Sequence, residues 1–405
     1  GGVVRRVGNP SQLQGRCCFE FGMSMKLFEY LKGRLLPPSS RSFHELFAEV
    51  IGLRHDICEL SRQLESLRAD LQHESANAVR SIQACSNAIG EMDSRLAIAA
   101  DAHDTHMKLM LWSLIAREGE TSDDAKRRFF RSLPKADGDL RLLQRGCVAL
   151  LSDFDKLCKN AGLPYSMMFG TLLGAVRHQG FVPWDDDLDV CMVRDDIATL
   201  MDAVSQDDRY LITVVFDWYA HCRQIRFGYN DENNPCFIDL FILDYAQDEA
   251  SETFSSMLAV RRAMIQEMDS SPDFSEWRES CPYLELGSEL AVKVDEVFRR
   301  YEAHLHSECI CVSRDHARGL IWGIDNCYWE GDGSLIYGLD ELLPLEQLEF
   351  EGIALSAPSD ASGVLRRSYG DYLALPEDIH SHYEHVSKTK LASEAVRNSI
   401  RKHLQ

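Results

Sequence analysis

Residues 169–192 read FGTLLGAVRHQGFVPWDDDLDVCM, and this stretch decides the fold that the sequence predicts. It begins with Gly170-Thr171 ahead of a helix pattern and ends with four aspartates within positions 185–189, ahead of an apolar strand pattern. Two carboxylates about 4 Å apart repel each other by roughly 4 kcal/mol at an effective dielectric constant near 20. So dense a group of acids indicates either a solvated acidic loop or a site that binds a cation.

Two of these acids lie two residues apart in a predicted strand, DLDV at 187–190. Residues i and i+2 of a strand point to the same face, so we expect Asp187 and Asp189 to project together. Asp239 lies between apolar residues in a second predicted strand, FIDLFILD at 237–244. Three converging carboxylates suit Mg²⁺ or Mn²⁺, and we expect a metal site at these three residues.

The Gly170-Thr171 pair lies at a predicted junction between a strand and a helix. A helix N-terminus offers free N–H groups and a favourable dipole to a phosphate group. Glycine allows a ligand to approach closely, and the threonine hydroxyl can cap the helix or bind phosphate. The pair therefore predicts a phosphate-binding site beside the acids.

The patterns around this stretch predict an α/β or α+β fold class, with a mixed β-sheet core flanked by helices. We expect strands at 165–169, 187–193, 210–217, 222–229 and 236–243, and helices at 143–157, 171–180 and 195–204. Helix patterns dominate 249–306.

The whole chain divides by pattern into six segments. We expect a non-native or disordered leader at 1–24, a short amphipathic helix at 25–42, a helical coiled-coil stalk at 43–117, a connector at 118–140, the α/β domain at 141–390 and a helical tail at 391–405.

The expected stalk carries a heptad repeat of apolar residues, which is typical of a coiled coil. The a positions are Val50, Ile57, Leu64 and Leu71, and the d positions are Leu53, Leu60 and Leu67. Beyond Leu71 the repeat weakens, and a shifted stripe through Val79, Ile82, Ile89 and Leu96 continues it. The repeat indicates either a parallel oligomerisation stalk or a long helix folded back on the α/β domain.

Composition restricts the class of protein. The net charge of −21 argues against a nucleic-acid-binding protein, which would need a basic surface. Thirteen cysteines without a Cys-x-x-Cys pair favour free thiols in a reducing compartment. With neither an apolar run of membrane-spanning length nor a secretory signal pattern, we expect a cytoplasmic location, or a peripheral one at the inner face of the membrane.

Gly-Thr, a helix, a loop and Asp-x-Asp in that order resemble the nucleotidyltransferase superfamily. The segment GTLLGAVRHQGFVPWDDDLDV, 170–190, closely resembles the signature of the LicD family, which includes the fukutin-related proteins. IDLFILD at 238–244, LEFEGIALSAPSD at 348–360 and YGDYLALPED at 369–378 resemble it too. The resemblance covers roughly 145–385.

The resemblance implies a metal-dependent phosphotransferase. Such enzymes move a phospho-alcohol, most often phosphocholine, from a CDP-linked donor such as CDP-choline or CDP-ribitol to a sugar hydroxyl of a cell-surface glycan, and CMP leaves. The acceptor would be a glycan or a lipid-linked glycan of lipopolysaccharide, teichoic acid or capsule, and the coiled coil would make the enzyme a homo-oligomer.

The resemblance also implies site residues. The catalytic metal ligands would be Asp187, Asp189 and Asp239, and the substrate-binding residues would be Gly170, Thr171, Arg177 and His178. Arg177 and His178 would neutralise charge on the pyrophosphate, and Asp239 would be either a third ligand or the base for the acceptor hydroxyl. Asp185 and Asp186 would shape the loop without contacting the metal.

The sequence departs from the family pattern at two places. Ile242 stands where the family usually has a proline. The histidines 380, 382 and 385 follow the LPED segment without the arginine that is usual there, so they receive no role. Asp371 receives no role either. Two other functions stay open: a nucleotidyltransferase that releases pyrophosphate, and an inactive scaffold whose coiled coil is the functional part.

Overall fold

The computed structural model describes residues 41–327, 335–376 and 385–404. The chain forms two compact units, 1–103 and 104–405. The expected leader and the expected helix at 25–36 lie outside the described residues. None of the described helices is both long and apolar enough to cross a membrane.

Helix α1, Arg41–Ile115, is 75 residues long. It includes the predicted heptad segment, and every side chain described from 48 to 96 is exposed except the half-buried Glu59. The N-terminal helical extension is therefore confirmed as a helix, whereas its coiled-coil pairing stays a prediction.

An eight-stranded mixed sheet forms the centre of the second unit. Its strands are β1 (Ser166–Met167), β2 (Asp189–Val193), β3 (Tyr210–Asp217), β4 (Cys222–Tyr229), β5 (Phe237–Ala246), β6 (Tyr283–Glu285), β7 (Gly319–Trp322) and β8 (Ile336–Gly338). The main path runs β1-β2-β5-β4-β3-β6, and β7 joins β5 to β8. In this sheet, β2 and β5 pair in parallel, and the other neighbouring strands pair antiparallel. The predicted mixed α/β fold is confirmed.

Helices surround this sheet. They are α2 (Ser122–Arg131), α3 (Gly138–Ala161), α4 (Phe169–His178), α5 (Arg194–Ser205), α6 (Ser251–Ser270), α7 (Ser275–Glu279), α8 (Glu289–Ser307), α9 (Leu339–Leu342), α10 (Ala361–Tyr369), α11 (Lys388–Leu391) and α12 (Glu394–Lys402). Helix α3 shows why the sequence forms this core: Leu143, Leu150, Leu151 and Phe154 recur at helical spacing and are fully buried. It ends at Gly162, whose φ of 69° suits glycine.

A separate hairpin pairs β9 (Glu346–Phe350) with β10 (Ile353–Ala357). Its two-residue turn, Glu351-Gly352, has positive φ angles of 50° and 85°. Turns of this kind match the right-handed twist of the paired strands. The hairpin is the structure of the 348–360 segment that resembles the LicD pattern.

The structure differs from the sequence expectation in two segments. The expected connector contains α2, which begins at the Thr121 cap, whose hydroxyl accepts the Asp124 N–H. Strand β2 begins at Asp189, so Asp187 lies in the preceding loop and not in the strand. The thiols of Cys147, Cys158 and Cys191 are free and buried, as the sequence predicts.

Candidate active site

The register of the sheet brings Asp189 and Asp239 side by side. Asp189 is the first residue of β2 and lies directly opposite Asp239 in the parallel β2–β5 pair. On the other edge of β5, Arg226 of β4 lies opposite Asp239. Adjacent strands are about 4.8 Å apart, and paired residues project to the same face of a sheet. Two carboxylates and a guanidinium therefore form one row across three strands.

Asp187 joins this pair from the loop before β2. Carboxylate oxygens of Asp187, Asp189 and Asp239 all lie within 4.8 Å of one another. Asp189 and Asp239 are only 8% and 6% exposed. We name these three residues the acid trio. The predicted convergence is present, although loop geometry and not strand alternation places Asp187.

Burial and mutual repulsion disfavour ionisation of the acid trio. Burial raises the pKa of Asp189 well above its ordinary value, and the charges of the other acids add to the shift. The pKa of Asp239 is also raised by burial, even though Arg226 donates a hydrogen bond of 2.8 Å to its Oδ1 and opposes the shift. A divalent cation would remove this penalty, because charged oxygen ligands are what Mg²⁺ and Mn²⁺ prefer.

The start of α4 is fastened to Asp189. The Gly170 N–H donates to Asp189 Oδ2 at 3.0 Å, and the Asp189 N–H donates to the Thr171 hydroxyl at 2.7 Å. A Cβ at position 170 would lie 2.8 Å from Asp185 Oδ2 and 3.2 Å from Asp189 Oδ2, so only glycine fits without displacement. The predicted phosphate-binding pair therefore lies directly beside the acid trio.

The two remaining aspartates of the loop behave differently from each other. Asp185 hydrogen-bonds to Asp187, and its burial together with the nearby charge of Asp187 raises its pKa to about 8. Asp186 accepts the backbone N–H groups of His385 and Val386 at 2.9 and 3.2 Å. Asp186 thus fastens a distant segment of the chain to the acidic loop.

Comparison with known proteins identifies the family of this region. Residues 162–270 match the family described as "LicD/FKTN/FKRP, nucleotidyltransferase domain". The chain is 27% identical over 270 residues, 62% of its length, to the lipopolysaccharide cholinephosphotransferase LicD of Haemophilus influenzae, and this match covers 97% of that protein. This domain belongs to the LicD family. It is accordingly a transferase of phosphate-containing groups.

Shorter matches link the LicD domain to two uncharacterised proteins. One, from Rickettsia prowazekii, is 38% identical over 94 residues, 23% of this chain and 32% of that protein. The other, from Rickettsia typhi, is 47% identical over 47 residues, 12% of this chain and 15% of that protein. These matches add no information about activity.

Arg177 and His178 lie at the opposite end of α4 from Gly170, roughly 12 Å along the helix axis. The Arg177 guanidinium lies 4.0 Å from the Phe130 ring centre and donates to the Tyr372 carbonyl at 3.2 Å. Burial lowers the pKa of His178 to about 4, so its ring is neutral near pH 7. Their predicted part in pyrophosphate binding stays a prediction, and only Arg177 brings a charge to it.

The sequence assigns no role to Arg226 or to His385, which both lie beside the acid trio. Arg226 could be found only from the strand register. His385 Nδ1 lies 3.1 Å from Asp186 Oδ1 and 3.4 Å from Asp187 Oδ2. Burial lowers the pKa of His385, but the hydrogen bond with Asp186 and the charge of Asp187 outweigh it, and the net shift is upward.

Proposed function

We propose that this LicD-family enzyme transfers a phospho-alcohol, most often phosphocholine, from a CDP-linked donor to a sugar hydroxyl of a cell-surface glycan. The observation that carries the proposal is the buried acid trio, formed beside the N-terminal end of α4. The cholinephosphotransferase relative supports the choice of phosphocholine and of a lipopolysaccharide acceptor.

The acid trio fits a divalent cation, Mg²⁺ or Mn²⁺. Three carboxylates with oxygens within 4.8 Å of one another match the hard oxygen ligands that these ions take. Their raised pKa values show that protein groups alone leave their charge poorly compensated. When bound, the cation would supply charge stabilisation for the donor pyrophosphate. Asp187 and Asp189 would hold it, and Asp239 would be either its third protein ligand or the base for the acceptor hydroxyl.

The transfer exchanges one phosphorus–oxygen bond for another. The acceptor hydroxyl oxygen attacks the phosphorus that carries the alcohol, the bond from this phosphorus to the oxygen of CMP breaks, and the hydroxyl proton passes to a base. Asp239 is the candidate base if it is not a metal ligand. Arg226, which is one-third exposed in its side chain, holds Asp239 in place and presents positive charge at the site.

The polar contacts around the trio fix its geometry. Gly170 and Thr171 set the position of Asp189, and Asp186 ties residues 385–386 to the loop that carries Asp187. Reacting groups held in place before the substrate arrives reduce the barrier without reorganisation. Self-association through α1 is a further part of the proposal.

A nucleotidyltransferase is the second candidate, because the matching family is described as a nucleotidyltransferase domain. Such an enzyme would release pyrophosphate, whereas the proposed reaction releases CMP. The inactive scaffold is disfavoured, because burying three repelling carboxylates destabilises a protein, and groups buried at such a cost are typical of functional sites.

The test is CMP release from CDP-choline, CDP-ribitol, CDP-glycerol and CDP-ethanolamine, with lipopolysaccharide as acceptor, in Mg²⁺, Mn²⁺ or EDTA. We expect metal-dependent CMP release from one donor. Asp187→Asn and Asp189→Asn should each lower turnover at least ~100-fold, through loss of charge stabilisation.

Asp195→Asn is the matched control, since this carboxylate is exposed on α5. Pyrophosphate in place of CMP would favour the second candidate. Full turnover by both Asp187→Asn and Asp189→Asn would remove the site assignment.

A further inference from the structure

Helix α1 presents an exposed apolar seam along one side. Its members are the a and d residues Val50, Leu53, Ile57, Leu60, Leu64, Leu67 and Leu71, each of them between 50% and 71% exposed. The seam extends over roughly 32 Å of helix. Monomeric soluble proteins rarely expose a continuous apolar surface of this extent, so the seam marks an interface.

The residue types along the seam select a number of strands. The β-branched residues Val50 and Ile57 occupy two of the four a positions, leucine occupies the other two, 64 and 71, and leucine also occupies the d positions 53, 60 and 67. β-Branched residues at a with leucine at d favour two-stranded parallel coiled coils. Trimers and tetramers prefer isoleucine at d, which is absent from these three positions.

The charges beside the seam select an orientation. The g positions carry Glu49, Asp56, Gln63 and Asp70, and the e positions carry Arg54, Ser61, Arg68 and Ser75. In a parallel pair each g residue faces the e residue five positions later on the partner helix, so Glu49 faces Arg54. In an antiparallel pair g faces g and e faces e, which sets acid against acid and base against base.

We propose that α1 pairs with α1 of a second copy of this chain, in parallel and in register, through a coiled coil that includes residues 50–71. The charges fit a second copy, since a parallel pair of identical helices sets Glu49 against Arg54 and brings no like charges together at the other g and e positions of this segment. Each paired particle would then carry two catalytic domains.

Beyond Leu71 the pairing changes. Glu74, Ser81 and Arg95 fall at d positions, and like charges at Glu74 would repel across a parallel pair. The apolar residues Val79, Ile82, Ile89 and Leu96 follow a register displaced by one residue and are 61% to 69% exposed. An interruption of the heptad register is accommodated by a local change in the winding of the supercoil. The seam therefore continues past this point.

The first test compares two double variants of the full chain by size-exclusion chromatography with light scattering. Leu60→Asp with Leu67→Asp puts charge into the seam, whereas Ser66→Asp with Ala69→Asp puts the same charge on exposed outer positions. We expect two chains per particle for the wild type and the outer-face variant, and one chain for the seam variant. The dissociation constant of the pair should be at least ~100-fold higher for the seam variant than for the wild type.

Helix content by circular dichroism checks that α1 persists in both variants. A single-chain mass for the wild type, or equal masses for the two double variants, would overturn the pairing. A mass of three or four chains would overturn the two-stranded form.

The second test determines the relative orientation of the two α1 helices by disulfide cross-linking. Cys58 and Cys85 are exposed on α1, so both are first changed to serine. Leu67→Cys in this background places thiols facing each other across a parallel in-register pair, and Ser66→Cys places them outside. We expect rapid cross-linking of the Leu67→Cys chain in a mild glutathione redox buffer, and at least ~10-fold slower cross-linking of the Ser66→Cys chain.

The background without either new cysteine measures cross-linking by the other thiols. A two-chain mass without preferential Leu67→Cys cross-linking would overturn the parallel in-register arrangement. The pairing deepens the self-association that is part of the proposed function. Neither test uses donor, metal or acceptor, so a failure of the pairing is distinguishable from a failure of the proposed transfer.

Discussion

At the scale of single residues, the acidic loop assigns different tasks to neighbouring aspartates. Asp187 and Asp189 converge with Asp239, Asp185 hydrogen-bonds to Asp187, and Asp186 accepts two backbone N–H groups from residues 385–386. The side-chain type is the same throughout, so backbone direction at each position decides the role. A carboxylate that fastens one segment to another contributes to activity by positioning and not by contact with the reacting atoms.

Asp186→Asn separates these roles. Because this variant loses charge-assisted hydrogen bonds, its free energy of unfolding should fall by about 2 kcal/mol. Its turnover should fall roughly 10-fold, because the loop that carries Asp187 is held less rigidly. The Mg²⁺ concentration for half-maximal activity should stay within about 3-fold of wild type, whereas Asp189→Asn should change it strongly. Metal titration of CMP release measures both values. A large shift in the metal requirement of Asp186→Asn would make Asp186 a ligand.

At the scale of secondary-structure elements, the β9–β10 hairpin contacts the turn at Gln179-Gly180, which joins α4 to the acidic loop. Glu351 at its tip accepts hydrogen bonds from Lys135 at 2.7 Å and from Arg141 at 2.8 and 3.0 Å. Its backbone N–H donates to the Gln179 carbonyl, and a Cβ at Gly180 would lie 2.7 Å from its Oε1. The hairpin therefore holds the turn between α4 and the acidic loop.

Glu351→Gln tests this support through pH. Burial raises the pKa of Glu351, but the hydrogen bonds from Arg141 and Lys135 outweigh it, and the pKa falls from 4.5 to about 2. A lowered pKa stabilises the folded state above the ordinary value of 4.5, and this stabilisation disappears as the pH falls towards 2. We expect a loss of about 2 kcal/mol near pH 7 that diminishes below about pH 4.5.

Thermal unfolding across this pH range measures the effect. Glu349→Gln is the control, because Glu349 is exposed on β9. A stability loss that is independent of pH would contradict the ion-pair explanation and indicate a packing role for Glu351.

The sequence predicts those elements whose patterns are local. The strands of 210–229 and the helices around Leu150 and Leu200 follow from spacing alone, and the acids of the trio follow from their apolar neighbours. Arg226 and His385 could not be found in this way, because only strand register and a contact across 199 positions bring them to the loop. Asp187 shows the same limit: its neighbours suggest a strand, but the chain turns into β2 only at Asp189.

At the scale of the whole molecule, a parallel pair would join two copies of one active site in one particle. A second site on the same particle meets further acceptors on the same surface at a high effective concentration. This advantage exists only when one surface or polymer carries many acceptors. A small free acceptor engages each site separately.

The seam variant Leu60→Asp with Leu67→Asp should therefore distinguish acceptors by size. Assuming the proposed transfer, its kcat/KM per chain for a short soluble oligosaccharide should equal that of the wild type, because the changes lie outside the active-site unit. For vesicles that carry many lipid-linked glycans, its KM should rise about 10-fold or more as avidity is lost. The outer-face variant Ser66→Asp with Ala69→Asp should match the wild type on both acceptors. Equal KM ratios for the two acceptors would mean that pairing through α1 serves stability or localisation and gives no advantage on a crowded surface.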